Sequence, residues 1–536
     1  MAKEGAAVPQ AQHQEHASSS TAEQPNHYQK TTWYMVVFSV AVGLFGWLAN
    51  FDAAFGGIVL LMDPYKKAFG QCVTTTEADG SILETCSLTA LQKSLIQLTI
   101  LFMSAGSVLA GFTGETIGRR GTLQVASVLI AVGAGGMMGT AGSFLNFMVC
   151  KCIGGVGMGM VYSAAPTWGT ESVAPQKRGL LLSFYNVGLA SGNVVAAAVC
   201  TGSSHITSNW SWQTPIFCQI PVALLLGATS AFFPESPRWL LTRGKEEKAR
   251  LSFAKFSQMD PQSAEVDWQV AEVLRHIEFE QQLNEEASWR DIFRGLDLKR
   301  THLAVLVLLG NALTGIQFVI PYTALFLAQI GLSNPYALNV AISSCVLAGT
   351  IPGPFLCEYV GRRRSLLSGY TVMAASMLIF AVVSSVMGQV NAIAQKVLVV
   401  FLCIWSFTFG ATTGPIAWVS STEMHSIRLR TMGQSYAVML YEIFSFGAAF
   451  WTPYMLDTAY GNMGTNVGYF YFGITAIVIV LTFFFVPETG RLSLEQIDEY
   501  FMQGDAAWKT SLAENKRIAA EGSLIAVQDK TRDEDH

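Results

Sequence analysis

The chain has 536 residues, of which 51% are hydrophobic and 13% are charged, and its net charge at pH 7 is −5. Soluble domains carry about 25% charged residues, so this composition excludes a soluble globular protein of the same length. The acidic balance also excludes a nucleic-acid partner, which would select a basic surface. Composition therefore predicts an all-α membrane protein that crosses the lipid bilayer many times.

The N-terminal segment 1–32 is polar, is rich in Gln, Ser, His and Glu, and lacks the apolar core of a secretory signal. It predicts a disordered N-terminal tail. The following run, 33–62, is too long for a signal sequence, so we interpret it as the first membrane helix.

A membrane helix needs about 20 apolar residues, and twelve segments of the chain meet this requirement. They form an N-terminal half of six helices, 33–233, and a C-terminal half of six helices, 303–486. The charged stretch 234–302 between them predicts a cytoplasmic linker of amphipathic helices, and a C-terminal tail, 487–536, follows the last span. The linker contains no catalytic motif, so we do not expect an enzyme.

Basic residues are concentrated in the loops on one side of the predicted bundle, for example at Arg119 and Arg362. The loops on the other side lack Lys and Arg at 201–211, 331–337 and 457–467. Loops rich in Lys and Arg remain in the cytoplasm during membrane insertion. We therefore predict that both termini are cytoplasmic, and we expect the protein in the plasma membrane.

The loop 63–93 lies on the side predicted to be external and contains Cys72 and Cys86. An external setting permits a disulfide between them, although two free thiols remain an alternative. Asn209 begins an Asn-Trp-Ser sequon, which is either a glycosylation site or a chance match close to the membrane. The remaining cysteines lie in apolar segments, where we expect free thiols and no metal site.

Three charged motifs occur twice along the chain, in the same order. Each copy places carboxylates and arginines at the predicted cytoplasmic helix ends. The matching residues are Glu115 with Glu358, Arg119 and Arg120 with Arg362 and Arg363, Glu171 with Glu423, Arg178 with Arg430, and Glu235 and Arg238 with Glu488 and Arg491. Three matches in register indicate two related six-helix halves, with a substrate site expected at their interface.

Arginine can bind a carboxylate through a bidentate fork. The repeated motifs therefore predict a cytoplasmic charge latch, which joins the two halves in one state and releases them in another. The alternative is that the arginines act only as a signal for membrane orientation.

These motifs closely resemble those of the sugar porter family of the major facilitator superfamily, and the resemblance covers residues 33–501. Further matching signatures are Pro234-Glu235-Ser236-Pro237-Arg238-Trp239 and Gly414-Pro415-Ile416-Ala417-Trp418. The segment Pro453-Tyr454-Met455-Leu456 is similar to the fungal α-glucoside and maltose permease branch. The resemblance implies a twelve-helix major facilitator fold that transports a sugar, either a hexose or an α-glucoside, by alternating access.

Asp52 lies inside the first predicted span, where an ionisable residue costs about 2.5–3.5 kcal/mol to insert and therefore indicates a function. The resemblance implies that Asp52 accepts a proton during symport. It also implies that Lys151 of the fourth span takes the place of a family arginine as its partner. The alternative is a static pair of charges that only holds the helices together.

A sugar offers many hydroxyl groups and a weakly apolar face, so its site needs hydrogen-bonding side chains and an aromatic platform. The resemblance places such residues at Asn186, Asn311, Gln317, Tyr322, Trp418, Tyr441 and Glu442. Ala312 and Pro321 depart from the family pattern. Ala312 stands where the family has a second Gln, which argues against a standard glucose pocket and leaves room for a disaccharide, another polyol or a sugar acid. For any single amide, a hydrogen bond between helices remains the alternative.

Three functions are compatible with these residues. Asp52 and Lys151 favour a proton–sugar symporter, and the alternatives are a facilitative uniporter and a non-transporting nutrient receptor. We expect no cofactor. The predicted partners are the sugar, protons and the lipid bilayer, and we expect the protein to act as a monomer.

Overall fold

The computed structural model describes residues 32–76, 82–173, 177–285, 288–388, 391–492, 494–503 and 506–518. The predicted N-terminal tail, except residue 32, and the end of the predicted C-terminal tail lie outside these ranges. Within them the chain consists of helices, their connections and a two-stranded sheet.

The N-terminal half contains six long helices, which follow continuous apolar runs of the sequence. They are α1 (Trp33–Ile58), α2 (Ala90–Thr116), α3 (Gly118–Met138), α4 (Phe144–Ser172), α5 (Arg178–Ser203) and α6 (Trp210–Ser230). Between α1 and α2, the antiparallel strands β1 (Gln71–Thr76) and β2 (Ile82–Ser87) form a hairpin. The pairing register puts Cys72 opposite Cys86, and the structure joins them in a disulfide bond.

The C-terminal half also contains six long helices, some of them interrupted. They are α7 (Gly295–Gln329), α8 (Pro335–Tyr359), α9 (Arg362–Met387), α10 (Ala392–Met424), α11 (Arg430–Leu456) and α12 (Val467–Phe485). Among the described residues, ten helices are long and apolar enough to cross a membrane. Helices α6 and α11, with 21 and 27 residues, are also long enough to span the hydrocarbon core of about 30 Å. The predicted all-α, twelve-helix architecture is therefore confirmed.

The linker folds into the helices Pro237–Thr242, Glu246–Ser257 and Ala264–Glu285, which share a small apolar core. Phe256 packs its ring against the ring of Phe38 in α1, with 4.8 Å between the centroids. This contact fastens the linker to the N-terminal half.

Helix α7 begins at Gly295, before the predicted start of the seventh span at residue 303. Its additional turns carry Arg300, which is buried and forms an ion pair with Asp498 in the helix Leu494–Gln503. Asp498 compensates the buried charge of Arg300. For this reason α7 can include polar residues that the sequence analysis placed in the linker.

Within each half, glycines let neighbouring helices touch backbone to backbone. A Cβ atom added to Gly106 of α2 would lie 2.0 Å from the carbonyl oxygen of Val156 in α4. In the C-terminal half, a Cβ atom on Gly349 of α8 would lie 2.2 Å from the carbonyl oxygen of Phe407 in α10. Small residues at such contacts allow the close packing that holds membrane helices together.

The two halves meet where α1 packs on α7, α2 on α11 and α5 on α8. We call the end of the bundle that carries Arg119 and Arg362 the arginine end. We call the opposite end, which carries the Cys72–Cys86 bond, the disulfide end.

Candidate functional site

At the arginine end, the N-terminal half holds a compact cluster of opposite charges. The Arg119 guanidinium donates a hydrogen bond to Glu171 Oε1 at 2.8 Å. The Glu235 carboxylate accepts hydrogen bonds from the backbone amides of Arg119 and Arg120, at 3.0 and 3.2 Å. Ser252 Oγ donates to the Glu235 carbonyl oxygen at 2.7 Å, which ties the linker to this cluster.

The C-terminal half contains the same arrangement. Arg362 donates to Glu423 Oε1 at 3.1 Å, and the Glu488 carboxylate accepts from the backbone amides of Arg362 and Arg363 at 2.8 and 3.1 Å. Here the C-terminal segment takes the place of the linker: Asn515 Nδ2 donates a hydrogen bond to the Glu488 carbonyl oxygen at 2.8 Å. The internal repeat of the sequence is therefore also a repeat of hydrogen-bond geometry.

The described bonds of these clusters join residues within one half, and a latch between the two halves stays a prediction. Arg178 and Arg430 also act within their halves. Their Nε atoms donate to the carbonyl oxygens of Thr170 and Thr422, at 3.0 and 3.2 Å. In this arrangement each half therefore satisfies its own charges at the arginine end.

Three further residues of the predicted latch lie at the edge of the clusters. Arg238 pairs with Glu280 of the linker helix Ala264–Glu285. Glu115 and Glu358 are exposed, and the Glu115 carbonyl oxygen accepts a hydrogen bond from Trp239 Nε1 at 2.9 Å. Among the described residues, Glu115 thus takes part in the hydrogen bonds of this region through its backbone carbonyl group.

Inside the N-terminal half, Asp52 of α1 and Lys151 of α4 face each other. The Lys151 ammonium lies 3.3 Å from Asp52 Oδ2, and the two side chains are 4% and 5% exposed. The ammonium also lies 4.5 Å from the centre of the Phe55 ring, within the range of a cation–π contact. Removing either charge would leave the other one buried without a partner.

Next to this pair, α1 presents Asn50, which the sequence analysis did not single out. Its Nδ2 donates to the Leu189 carbonyl oxygen of α5 at 2.6 Å, and its Oδ1 accepts from the Tyr162 hydroxyl of α4 at 3.2 Å. The available signal was a second polar residue close to Asp52 in an otherwise apolar helix.

In the C-terminal half, α7 is interrupted by the π-helix Ala312–Ile316, where Gly315 has a φ of 113°. Glycine adopts this conformation without strain, so it permits the interruption. Directly before it, Asn311 Nδ2 donates to the Thr413 carbonyl oxygen of α10 at 2.9 Å. The Tyr441 hydroxyl of α11 donates to Asn311 Oδ1 at 3.4 Å. These bonds link α7, α10 and α11.

The rings of Trp418 and Tyr441 pack edge to face, with 5.1 Å between their centroids. Trp418 is 37% exposed, so one part of its ring is available as an aromatic surface. Asn186 of α5 is exposed, and Gln317, beyond the interruption of α7, is half-buried. No hydrogen bond joins Asn186 or Gln317 to the other predicted residues within the described part of the chain.

Glu442 follows Tyr441 on α11 and is half-buried. We call the following set of polar and aromatic residues, contributed by helices of both halves, the central cluster: Asn50, Tyr162, Asn311, Trp418, Tyr441 and Glu442. It combines hydroxyl, amide and carboxylate groups with an aromatic surface, as recognition of a polyhydroxylated ligand requires.

Tyr322 differs from the other predicted substrate-binding residues. It is fully buried, and its hydroxyl donates to the Lys93 carbonyl oxygen of α2 at 3.1 Å. One residue earlier, the backbone of Pro321 lies directly against Gly57 of α1. In this arrangement Tyr322 therefore closes the contact between the halves towards the disulfide end and is not part of the central cluster.

An ion pair joins the halves at the disulfide end. Lys93 Nζ lies 3.0 Å from Asp457 Oδ2, and the two side chains are 15% and 16% exposed. Ser94 Oγ adds a hydrogen bond to the Phe450 carbonyl oxygen at 2.7 Å. Burial works to raise the pKa of Asp457. Hydrogen bonds from the Ala459 amide and the Lys93 ammonium outweigh burial and hold that pKa below its ordinary value.

The direction of this pKa shift decides what the pair can do. A carboxyl group with a lowered pKa stays ionised until the pH falls below the ordinary range of aspartate, about 3.9. The Lys93–Asp457 pair is therefore complete at neutral and mildly acidic pH, and it does not switch with small changes of proton concentration.

We expect Asp457→Asn to weaken the closure of the disulfide end. A partly exposed ion pair contributes about 1 kcal/mol. Its loss should therefore shift the equilibrium between the closed and open states of the disulfide end about fivefold towards the open state. The measurement is the rate at which a thiol reagent, added on the disulfide side, modifies a single cysteine placed between the halves.

The control is Asp63→Asn, which breaks a pair with the same 3.0 Å separation from Lys66, although Asp63 is 84% exposed and belongs to the same half. That variant should leave the rate unchanged. The reversed pair, Lys93→Asp with Asp457→Lys, should restore it. Equal rates in Asp457→Asn and the unmodified protein would show that the pair does not contribute to closure.

Two other predicted positions lie at the disulfide end. Asn209 is exposed and immediately precedes α6. Its glycosylation remains a prediction. The hairpin that carries Cys72 and Cys86 is held by the disulfide described above.

Comparisons with known proteins agree with this architecture. The family model described as "Sugar (and other) transporter" matches residues 36–501. The probable glucose transporter rco-3 of Neurospora crassa is 29% identical over 88% of this chain and 80% of its own length. The high glucose sensor RGT2 of Saccharomyces cerevisiae is 25% identical over 87% of this chain and 61% of its own length. Among solved structures, the inward-open xylose transporter XylE from E. coli matches with a TM-score of 0.71, at 18% identity, over 87% of this chain and 99% of that chain.

Proposed function

Since this chain belongs to the family of sugar (and other) transporters, we propose that it moves a hexose or an α-glucoside across the membrane in symport with protons. The central cluster binds the sugar, and the two halves expose it to one side of the membrane at a time. The arginine end and both termini face the cytoplasm, as the distribution of basic residues favours. The plasma membrane is the proposed location.

The observation that carries the coupling to protons is the Asp52–Lys151 pair. Its two charges are buried inside membrane-spanning helices, 3.3 Å apart, one turn or less from Asn50 of the central cluster. Buried ionisable groups in such helices often belong to proton pathways. Protonation of Asp52 from outside would release Lys151 and allow α1 and α4 to move around bound sugar.

The contacts between the halves support a state that is closed at the disulfide end. Tyr322 and the Lys93–Asp457 pair bridge the halves there. At the arginine end, each charge cluster lies within its own half. With the arginine end in the cytoplasm, this corresponds to an inward-facing transporter. The clusters then keep each half rigid while the halves rotate against each other.

Two alternatives remain testable. A facilitative uniporter would use the central cluster without titrating Asp52. A non-transporting nutrient receptor is favoured by the sensor RGT2 among the relatives. The relative rco-3, by its name a probable glucose transporter, favours transport.

The deciding experiment is uptake of labelled glucose, galactose, xylose and maltose in cells that lack their own sugar transporters. We expect at least one sugar to accumulate above its external concentration, and a protonophore should abolish this accumulation. Uptake that only reaches equilibrium and ignores the protonophore would identify a uniporter. Absence of uptake, with the protein present in the membrane, would support the receptor.

We expect Trp418→Ala to weaken sugar binding by about 10- to 100-fold, because burial of a large aromatic side chain against a ligand contributes about 1.5–3 kcal/mol. The measurement is the half-saturating concentration of the sugar found in the uptake experiment. Trp289→Ala removes an equally large, exposed ring from the linker and should have no effect. The same half-saturation in both variants would place the sugar away from Trp418.

A further inference from the structure

Helix α1 is held to α4 by two side-chain contacts that lie next to each other. At one of them, Lys151 Nζ lies 3.3 Å from Asp52 Oδ2. At the other, two residues earlier on α1, the Tyr162 hydroxyl donates to Asn50 Oδ1 at 3.2 Å. The same amide binds α5, because Asn50 Nδ2 donates to the Leu189 carbonyl oxygen at 2.6 Å. Asn50 therefore connects three helices of the N-terminal half beside the buried ion pair.

The two contacts reach α1 from different places on α4. Lys151 and Tyr162 are eleven residues apart, which corresponds to about 16 Å along a helix. Their partners Asp52 and Asn50 are separated by only about 3 Å along α1. Two long side chains therefore converge on one short stretch of α1. Opening of one contact leaves α1 held at the other.

The two contacts differ in their response to protons. The ion pair needs an ionised Asp52, and in the proposed cycle protonation of Asp52 releases Lys151. An amide and a tyrosine hydroxyl do not change their protonation near neutral pH, so the hydrogen bonds of Asn50 are compatible with both states of Asp52. Release of Lys151 therefore frees α1 at Asp52 while Asn50 still holds it.

The bond from Asn50 to α5 leads towards the predicted sugar site. Leu189 follows Asn186, a predicted substrate-binding residue, by three residues, so the two lie about one turn apart on α5. A movement of α1 about Asn50 is consequently passed to the turn of α5 that carries Asn186. Both the oxygen and the nitrogen of the Asn50 amide bind protein groups, which suits this residue to position the helices.

We propose that Asn50 is a positioning residue for the coupling of protons to sugar. Its hydrogen bonds keep α1 attached to α4 and α5 while the Asp52–Lys151 pair opens, and they transmit this opening to the sugar site. The inference rests on the proposed function, since it concerns symport through the same site. Without these bonds, protonation of Asp52 still releases Lys151, but the sugar site no longer responds, so sugar crosses with fewer protons.

The test measures the number of protons that enter with each sugar molecule. Cells that lack their own sugar transporters receive labelled D-glucose or maltose in a weakly buffered medium, and sugar entry is recorded together with the alkalinisation of the medium. Both fluxes scale with the amount of active protein, so their ratio is independent of how much of a variant is folded. We expect Tyr162→Phe and Asn50→Ala to lower the ratio by about fivefold, the effect of one lost hydrogen bond on an equilibrium.

Two further variants complete the design. Tyr469→Phe removes a tyrosine hydroxyl that donates to Ser385 Oγ at the same distance, 3.2 Å, within the C-terminal half, and it should keep the ratio of the unmodified protein. The double variant Asn50→Ala with Tyr162→Phe should lose no more coupling than Asn50→Ala alone, because both changes remove the same bond between α1 and α4. An additive loss in the double variant would contradict the proposal.

The outcomes separate this inference from the proposed function. Proton-to-sugar ratios in Tyr162→Phe and Asn50→Ala equal to that of the unmodified protein would overturn the positioning role and leave symport intact. A higher half-saturating sugar concentration with an unchanged ratio would do the same, since it would make these residues sugar contacts only. If the unmodified protein transports neither sugar, or transports sugar without protons, the proposed symport of these sugars is wrong, and the inference with it.

Discussion

Replacing Gly57 by alanine is expected to keep the protein from closing its disulfide end and to abolish transport. A Cβ atom on Gly57 of α1 would lie 1.7 Å from the carbonyl oxygen of Pro321 in α7, and 2.6 Å from the carbonyl carbon. The obstructing atoms belong to a backbone that cannot rotate away. The two helices would have to separate, and because they belong to different halves, the closed arrangement itself is lost.

The size of this effect follows from the severity of the contact. Overpacking a tight interior contact costs about 1–3 kcal/mol or more, which shifts a two-state balance by about tenfold or more. A transporter that cannot close one end cannot complete its cycle. We therefore expect substrate uptake near background, with cysteines between the halves modified rapidly from the disulfide side and slowly from the arginine side.

Two glycine variants serve as controls. Gly106→Ala creates a similar contact, 2.0 Å from the Val156 carbonyl oxygen, but both residues lie in the N-terminal half. It should lower stability without favouring either open state. Gly135→Ala meets no atom within 4 Å and should be neutral. Normal transport by Gly57→Ala would show that α1 and α7 do not approach in this way during the cycle.

We expect Asp52→Asn to abolish accumulation of sugar against a gradient while downhill exchange continues. The amide imitates the protonated carboxyl group permanently, so the site can no longer load and release a proton. Sugar movement should then be insensitive to external pH. The measurement is uptake into vesicles with and without an imposed pH gradient.

The partner residue provides the control for this prediction. Lys151→Met leaves Asp52 buried without an opposite charge, and breaking a buried pair in this way costs about 3–5 kcal/mol. That variant should be clearly less stable than the unmodified protein. The double variant Asp52→Asn with Lys151→Met removes both charges, and it should recover stability but not accumulation. Concentrative uptake by Asp52→Asn would assign proton coupling to another group.

The fold was predictable because it depends on properties that lie along the chain. Twelve apolar runs define the spans, and the repeated arginine and glutamate motifs indicate two related halves. The difference at α7 is instructive. The polar residues from Gly295 onwards belong to a helix because Arg300 is paired with Asp498, almost two hundred residues later. Such a partner cannot be recognised from local hydropathy.

The site was predictable only in part, for the same reason. Asp52 and Lys151 stand out as charges within apolar helices, and their contact was expected. Lys93 and Asp457 look like ordinary charges in polar loops, and only the packing of α2 against α11 brings them together. Tyr322 has the composition of a ligand-binding residue, yet its hydroxyl is used between the halves. Which face of a helix meets which neighbour decides these roles.

The two charge clusters differ in the chain segment that supports each of them. In both, a carbonyl oxygen of the repeated acidic motif, on Glu235 or Glu488, accepts a hydrogen bond from a segment further along the chain. The donors differ, being the hydroxyl of Ser252 in one half and the amide of Asn515 in the other. The acceptor is therefore equivalent in the two halves, whereas the donor differs. The segment around Asn515 is in consequence a structural part of the second half, and shortening the chain before it would remove a support of the Glu488 cluster.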